Sequence, residues 1–224
     1  MKLGSFLLVT TIVLLVAGCA HKNPQASDPN TPPVSEFDKA KDPAISANTR
    51  FAAGQLSESQ GELGHAIEQY QKALELNPKY AEAMFRLAVV QTTTKAFPKA
   101  IETWNRYITL SNGSATAYSN LGFCQELAGN PAAAEAAYRA GIAHEPSNEP
   151  CHVNYGLMLA RHGRPSEGLL QLQIVLPPAK AHYDLASVYE TMGRKKEART
   201  EYAKALELDP TFGDARTKLA SLDN

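Results

Sequence analysis

The sequence predicts an all-α fold, a stack of about five helix pairs closed by a short C-terminal helix. Three observations predict it. Glycine, proline, alanine and aromatic residues recur at one shared interval. From about residue 47 onward, alanine, leucine and tyrosine fall at helical spacing, which puts an apolar stripe on each segment. Apolar residues make up 44% of the 224, enough for a real core.

The interval is 34 residues. It separates Gly129 from Gly163, and twice it separates Gly61 from Gly129 and Pro78 from Pro146. It also separates Ala66, Ala100 and Ala134, and Tyr70, Trp104, Tyr138 and Leu172. Gly163 to Gly193 and Leu172 to Tyr202 are only 30 apart, so one unit has lost four residues. The loss falls within QIVLPPAKAH, where Pro177 and Pro178 should end a helix early.

The first element spans residues 1–18. Lys2 gives a positive start, Phe6–Val16 is an apolar run of 11 residues, and Ala17 and Gly18 precede Cys19. A membrane span needs roughly 20 apolar residues, so the run has the length of a secretory core segment. LLVAGC resembles the lipobox of bacterial lipoproteins. That resemblance implies cleavage before Cys19, diacylglycerol on its thiol, and acylation of the new N-terminus. In the sorting scheme of enteric lipoproteins, Ala20 after the cysteine implies the outer membrane, facing the periplasm. An ordinary cleaved signal and an uncleaved anchor are the alternatives.

Residues 19–46 form the second element. The stretch after Cys19 holds five prolines and one aromatic, Phe37, and cannot bury enough surface to offset its ordering entropy. It reads as a tether with an r.m.s. reach of ~30 Å. Two or three acyl chains hold a protein firmly to a bilayer, whereas one does not.

The third element spans residues 47–224, with units near 47–80, 81–114, 115–148, 149–178 and 179–212 and a cap at 213–224. The third unit carries Tyr118, Leu121, Gly122, Ala134, Tyr138 and Pro146. The fifth carries Leu185, Ala186, Tyr189, Ala198, Tyr202, Ala205 and Pro210. These positions resemble the tetratricopeptide repeat (TPR), which implies a right-handed α-solenoid with helices A and B in each unit. The second unit fits with Met84, Leu87, Ala88, Ala100 and Trp104. The first has a poor helix A, with Arg50 and Ser57 in apolar slots, and in the fourth Gly168 replaces the alanine. Gly61, Gly129, Gly163 and Gly193 fit the A–B turn, and Pro131 and Pro165 fall just inside helix B. In the cap, Ala215, Leu219 and Leu222 can face the last unit, while Arg216, Lys218 and Asp223 can face water.

A net charge of −1, from 22 Lys+Arg against 23 Asp+Glu, gives no basic field for nucleic acid. No phosphate loop, HExxH or GxSxG is present, so neither catalysis, a cofactor, a metal nor a small-molecule substrate is expected. His144, Cys151 and His152 lack metal-ligand spacing, and His152 and His182 occupy a packing slot. Cys124 and Cys151 would lie ~10 Å apart along neighbouring helices. A disulfide needs Cα atoms within roughly 7 Å, so two buried thiols are favoured over a bridge.

The TPR resemblance implies a partner groove on the concave face, lined by slots two, five, six, nine, twelve and thirteen of helix A. The residues named for it are Phe51, Gln55, Phe85, Arg86, Val89, Asn120, Phe123, Asn154, Leu157, Tyr183 and Asp184. Asn120 and Asn154 can both donate to and accept from a peptide backbone. Equally, Phe85, Val89 and Leu157 can simply pack between adjacent A helices. Asp184 stands where a chaperone-tail receptor of this family places arginine, and it would repel a carboxylate. The layout resembles the lipid-anchored scaffolds of pilus assembly, both type IV pilotins and TPR lipoproteins of tight-adherence (Flp) pili. That implies an envelope protein or peptide segment in the groove. An adaptor for peptidoglycan enzymes is the alternative, and an enzyme with an unrecognised site a remote one.

Overall fold

The computed structural model describes residues 45–222. Cys19, the signal segment and most of the tether lie outside the described residues. Within them are eleven helices and no strand: α1 (Ala47–Ser59), α2 (Leu63–Leu76), α3 (Ala81–Thr93), α4 (Phe97–Leu110), α5 (Ala115–Leu127), α6 (Pro131–His144), α7 (Glu149–Arg161), α8 (Pro165–Val175), α9 (Pro178–Thr191), α10 (Lys195–Leu208) and α11 (Gly213–Ser221). Consecutive helices pack in pairs, α1–α2 through α9–α10, and α11 packs on α10.

Local chemistry sets the helix ends. The Ser46 hydroxyl accepts the Thr49 N–H at 3.1 Å and starts α1. Asn148 does the same for α7 through the Cys151 N–H at 3.1 Å. Pro131, Pro165 and Pro178 open α6, α8 and α9, where the missing N–H would be unpaired anyway. The shortened unit is explained by Pro177, which bars Leu176 from the helical region and stops α8 after 11 residues. Pro178 then begins α9 one residue before the expected start.

Four A–B turns place glycine at positive φ: Gly61 at 77°, Gly129 at 80°, Gly163 at 82° and Gly193 at 71°. The second unit has no glycine there, and Lys95 adopts the same conformation at φ 60°.

The core is a row of large side chains from the B helices. Tyr70, Trp104, Tyr138, Leu172 and Tyr202 are buried. Each sits against the small residue at slot eight of its A helix. A Cβ on Gly122 would lie 2.6 Å from the Tyr138 ring, and one on Gly54 would lie 2.5 Å from Tyr70. In the fourth unit a Cβ on Gly156 would lie 2.7 Å from the Gly168 carbonyl oxygen. The glycine that replaces alanine at 168 therefore matches Gly156, and together they bring two backbones into contact.

Cys124 and Cys151 are buried free thiols, and Cys151 Sγ donates to the Ala115 carbonyl at 3.2 Å. Burial raises both above the ordinary thiol range, Cys151 to about 11, which keeps them protonated and unreactive. His152 is buried between Gln171 and the Pro146 carbonyl, both at 2.9 Å. In the cap, Ala215 is buried and Leu219 and Leu222 pack on the last unit. Lys218 keeps 42% of its side chain exposed and also reaches back to Glu190 at 3.1 Å.

Candidate protein-binding groove

One polar pattern repeats along the A helices. In the first unit the Tyr70 hydroxyl donates to Glu58 at 2.7 Å, and Arg86 of the next A helix closes on the same carboxylate at 2.6 Å. In the fifth unit Tyr202 donates to Glu190 at 2.7 Å, and Lys218 closes on it from the cap. Burial first, then the bonded carboxylate, raises both phenols, Tyr70 to about 12. The Tyr202 bond in turn holds Glu190 below the ordinary glutamate range. In the second unit the pair becomes Trp104 Nε1 donating to the Thr92 hydroxyl at 3.2 Å. In the fourth it is apolar, Ala160 with Leu172, both fully buried.

Seven of the eleven residues expected to line one groove fall in three clefts, of which the second and third share Arg161. The first, of about 460 Å³, gathers Phe51, Gln55, Phe85 and Arg86 with Ala81, Glu82 and Tyr107. Its rings are locked edge to face: Phe85 meets Trp104 at 5.3 Å and Tyr107 at 5.4 Å. Phe51 lies 5.0 Å from Tyr80. Val89 packs half-buried beside Phe85. The second cleft, of about 600 Å³, is lined by Phe123, Glu126, Leu127, Arg161 and His162. The third, of about 270 Å³, holds Leu157 and Asp184 with Arg161, Ser187, Val188 and Thr191.

The apolar lane is part packing and part open surface. Phe85, Val89 and Leu157 pack against the core and keep an open edge, whereas Phe123 is 41% exposed. Arg86 is held by Glu58, and Asp184 is paired with Lys180. Tyr183 packs at a tilt between Tyr202 at 5.4 Å and Phe212 at 5.0 Å. The two asparagines differ. Asn154 donates to the Ser119 hydroxyl at 3.0 Å, and Asn120 is half-buried. Tyr107 comes from a B helix, so slots on helix A do not reveal it. Glu126, Leu127 and Arg161 are absent from the residues named for the groove, although they occupy its slots twelve and thirteen. Among the described residues, no group of three His, Cys, Asp or Glu could hold a metal ion, and no helix is long and apolar enough to cross a membrane.

Family models agree with this geometry at both ends of the stack. Residues 48–93 match a TPR-repeat model and residues 179–212 match a tetratricopeptide-repeat model. Both segments are similar to tetratricopeptide repeats. Several solved structures share the fold. The MamA protein is 23% identical with a TM-score of 0.59, covering 73% of this chain and 92% of that one. A thermophilic TPR protein of Thermus thermophilus, TTC0263, is 24% identical with a TM-score of 0.56, covering 79% and 98%. YrrB, described as a TPR protein with an unusual peptide-binding site, is 21% identical with a TM-score of 0.53, covering 82% and 94%. The corepressor ssn6 of Schizosaccharomyces pombe is 25% identical over 122 residues, 54% of this chain. The corepressor trfA of Dictyostelium discoideum is 27% identical over 104 residues, 46% of this chain. The matches span only 11% and 8% of those two proteins.

Proposed function

We propose that this chain is a lipid-anchored, non-catalytic scaffold of the bacterial envelope that holds a partner protein in its TPR groove and assists assembly of a pilus or secretion complex. The observation that carries the binding role is the first cleft. Three aromatic rings are fixed there beside an arginine whose charge is already oriented by Glu58. Fixed aromatic anchors lose little side-chain entropy on binding, so they suit an apolar side chain of an extended peptide or a helix. The peptide-binding site ascribed to YrrB favours the same use of this fold. The anchor and the outer-membrane location rest on the LLVAGC motif and Ala20.

The test is crosslinking and affinity purification of the full lipidated chain from its own envelope. Capture of secretin, prepilin or pilus ATPase components supports the proposal, and capture of peptidoglycan hydrolases instead would transfer the scaffold to cell-wall enzymes. Phe85→Ala should remove the captured protein while helicity is kept. Asn120→Ala combined with Asn154→Ala should weaken capture, and unchanged affinity would remove the amides from the groove. Cys19→Ser should leave an unprocessed precursor without acyl label, and normal labelling would end the lipid reading.

A further inference from the structure

The third unit breaks the tyrosine–glutamate pattern. Its slots carry the matching pair, Tyr138 and Glu126, where the first and fifth units bond Tyr70 to Glu58 and Tyr202 to Glu190. Yet Glu126 is turned to Arg161, which grips it with two parallel bonds of 2.8 and 2.9 Å. Tyr138 is 0% exposed, and its hydroxyl is the one buried side-chain polar atom without a partner among the described residues. A buried hydroxyl in that state carries its full desolvation penalty. Burial, and next the nearby Glu126 charge, raise the phenol well above its usual range.

The next A helix explains the break. Arg86 and Lys218 complete the outer glutamates from slot six, but the corresponding residue here is Asn154, which donates to Ser119 instead. No cation approaches Glu126 from that side. Arg161 takes it from slot thirteen, at the rim of the second cleft, with His162 at 3.9 Å. Arg161 remains 36% exposed while Glu126 is 9% exposed. Phe123 and Leu127, 41% and 49% exposed, flank the pair.

We propose that Glu126 is an internal stand-in for a partner's carboxylate: an acidic side chain flanked by apolar residues docks on Arg161, and Glu126 moves to Tyr138. The exchange conserves hydrogen bonds at Arg161, whose planar fork accepts either carboxylate in two-point geometry. It adds one bond, from the orphaned Tyr138 hydroxyl. Phe123 and Leu127 supply apolar contact for the residues either side of the acid. The partner class is thus an acidic–apolar segment of an envelope protein, and the inference rests on the groove reading above.

The probes are a blocked pentapeptide, acetyl-Ala-Leu-Glu-Leu-Ala-amide, and its glutamine counterpart, titrated into the full chain in detergent. Ring-labelled tyrosine reports each hydroxyl by NMR, with Tyr138→Phe as the assignment. The glutamate peptide should bind at least tenfold tighter than the glutamine one, and only it should shift the Tyr138 signal toward a hydrogen-bonded donor. Arg161→Gln should abolish the preference. Tyr138→Phe should reduce glutamate-peptide affinity several-fold, leave glutamine-peptide affinity unchanged, and leave the melting temperature unchanged or higher. Equal binding of the two peptides, binding of neither, or a Tyr138 signal that stays fixed during acidic binding would overturn the exchange. None of these outcomes touches the groove reading, which is decided by partner capture with Phe85→Ala.

Discussion

The two ends of the stack and its middle solve the same packing problem differently. At both ends a glutamate sits between a buried tyrosine and a cation from the next helix: Glu58 with Tyr70 and Arg86, Glu190 with Tyr202 and Lys218. Each cluster fastens three helices at one carboxylate. In the middle, Glu126 is drawn to the rim by Arg161 and Tyr138 is left alone. A repeat stack is held by its nearest-neighbour interfaces, so fraying starts at the ends. Ion-paired clusters placed at the terminal junctions oppose that fraying. The central junction has neighbours on both sides and can tolerate an unsatisfied group. The difference teaches that one register can satisfy a polar group at one junction and leave it unsatisfied at another.

Removing whole rings should erase the contrast. Tyr70→Ala, Tyr138→Ala and Tyr202→Ala each empty a fully buried position and should cost about 3–5 kcal/mol, read from urea midpoints. A much smaller loss at Tyr138 would mean that the middle differs in packing as well as in polarity. Removing only the hydroxyl should expose the contrast. Tyr70→Phe and Tyr202→Phe delete a bond to a charged acceptor and should cost about 1.5–3 kcal/mol. Tyr138→Phe deletes an unpaired group and should be neutral or stabilising by up to about 1 kcal/mol. Equal losses at all three positions would break the comparison.

Acid should reach the C-terminal end by a predictable route. Glu190 is held below the ordinary glutamate range first by the Tyr202 hydroxyl and then by Lys218. Glu135, in the third unit, is lowered first by Tyr155, which donates at 2.6 Å, and then by Arg164. In the unfolded chain both carboxyls take protons at higher pH than in the fold. Their stabilisation is therefore full above the ordinary glutamate range and is lost as pH falls through their lowered values. Both are partly solvated, so the loss should be only about 1 kcal/mol each. Amide exchange in α10 and α11 should accelerate over that window, and much less in Glu190→Gln, which has no proton to take up.

Much of the stack was legible because its period is carried by residues with a single physical use. Pro131, Pro165 and Gly163 mark helix ends, and Tyr70, Trp104, Tyr138 and Tyr202 mark the layer between helices. Pro177 and Pro178 located the clipped unit. The lane slots were legible as positions, but the division into three clefts was not. Side-chain pairing decides that division, and pairing depends on neighbours across a junction. Asn154 reads as a peptide holder, and the sequence does not show that Ser119 also engages it. Lys218 reads as a solvent-facing charge, and the sequence does not show the Glu190 carboxylate it also pairs with. Tyr107 escaped because it reaches the first cleft from a B helix. Tyr138 is the sharpest case: its sequence slot promises the same bond as Tyr70, and only the competing grip of Arg161 explains why the bond is missing.

The smallest effect concerns the second unit, the one whose A–B turn lacks glycine. Lys95 holds φ at 60°, where its Cβ crowds the backbone, while glycine fills the equivalent position in the other four units. Its N–H bonds the Thr92 carbonyl at 3.0 Å, and Ala96 returns to Gln91 at 2.8 Å, so the turn is complete and the strain is confined to one residue. Lys95→Gly relieves that strain but frees the unfolded chain, so the net gain should be about 0.5–1 kcal/mol. The gain should appear as slower amide exchange in α3 and α4, the helices that the turn joins. The converse change, Gly129→Ala, meets no atom within 4 Å and should lose a similar amount through φ alone. If Lys95→Gly destabilises instead, the lysine stem contributes packing that outweighs its backbone cost, and the five turns are not equivalent.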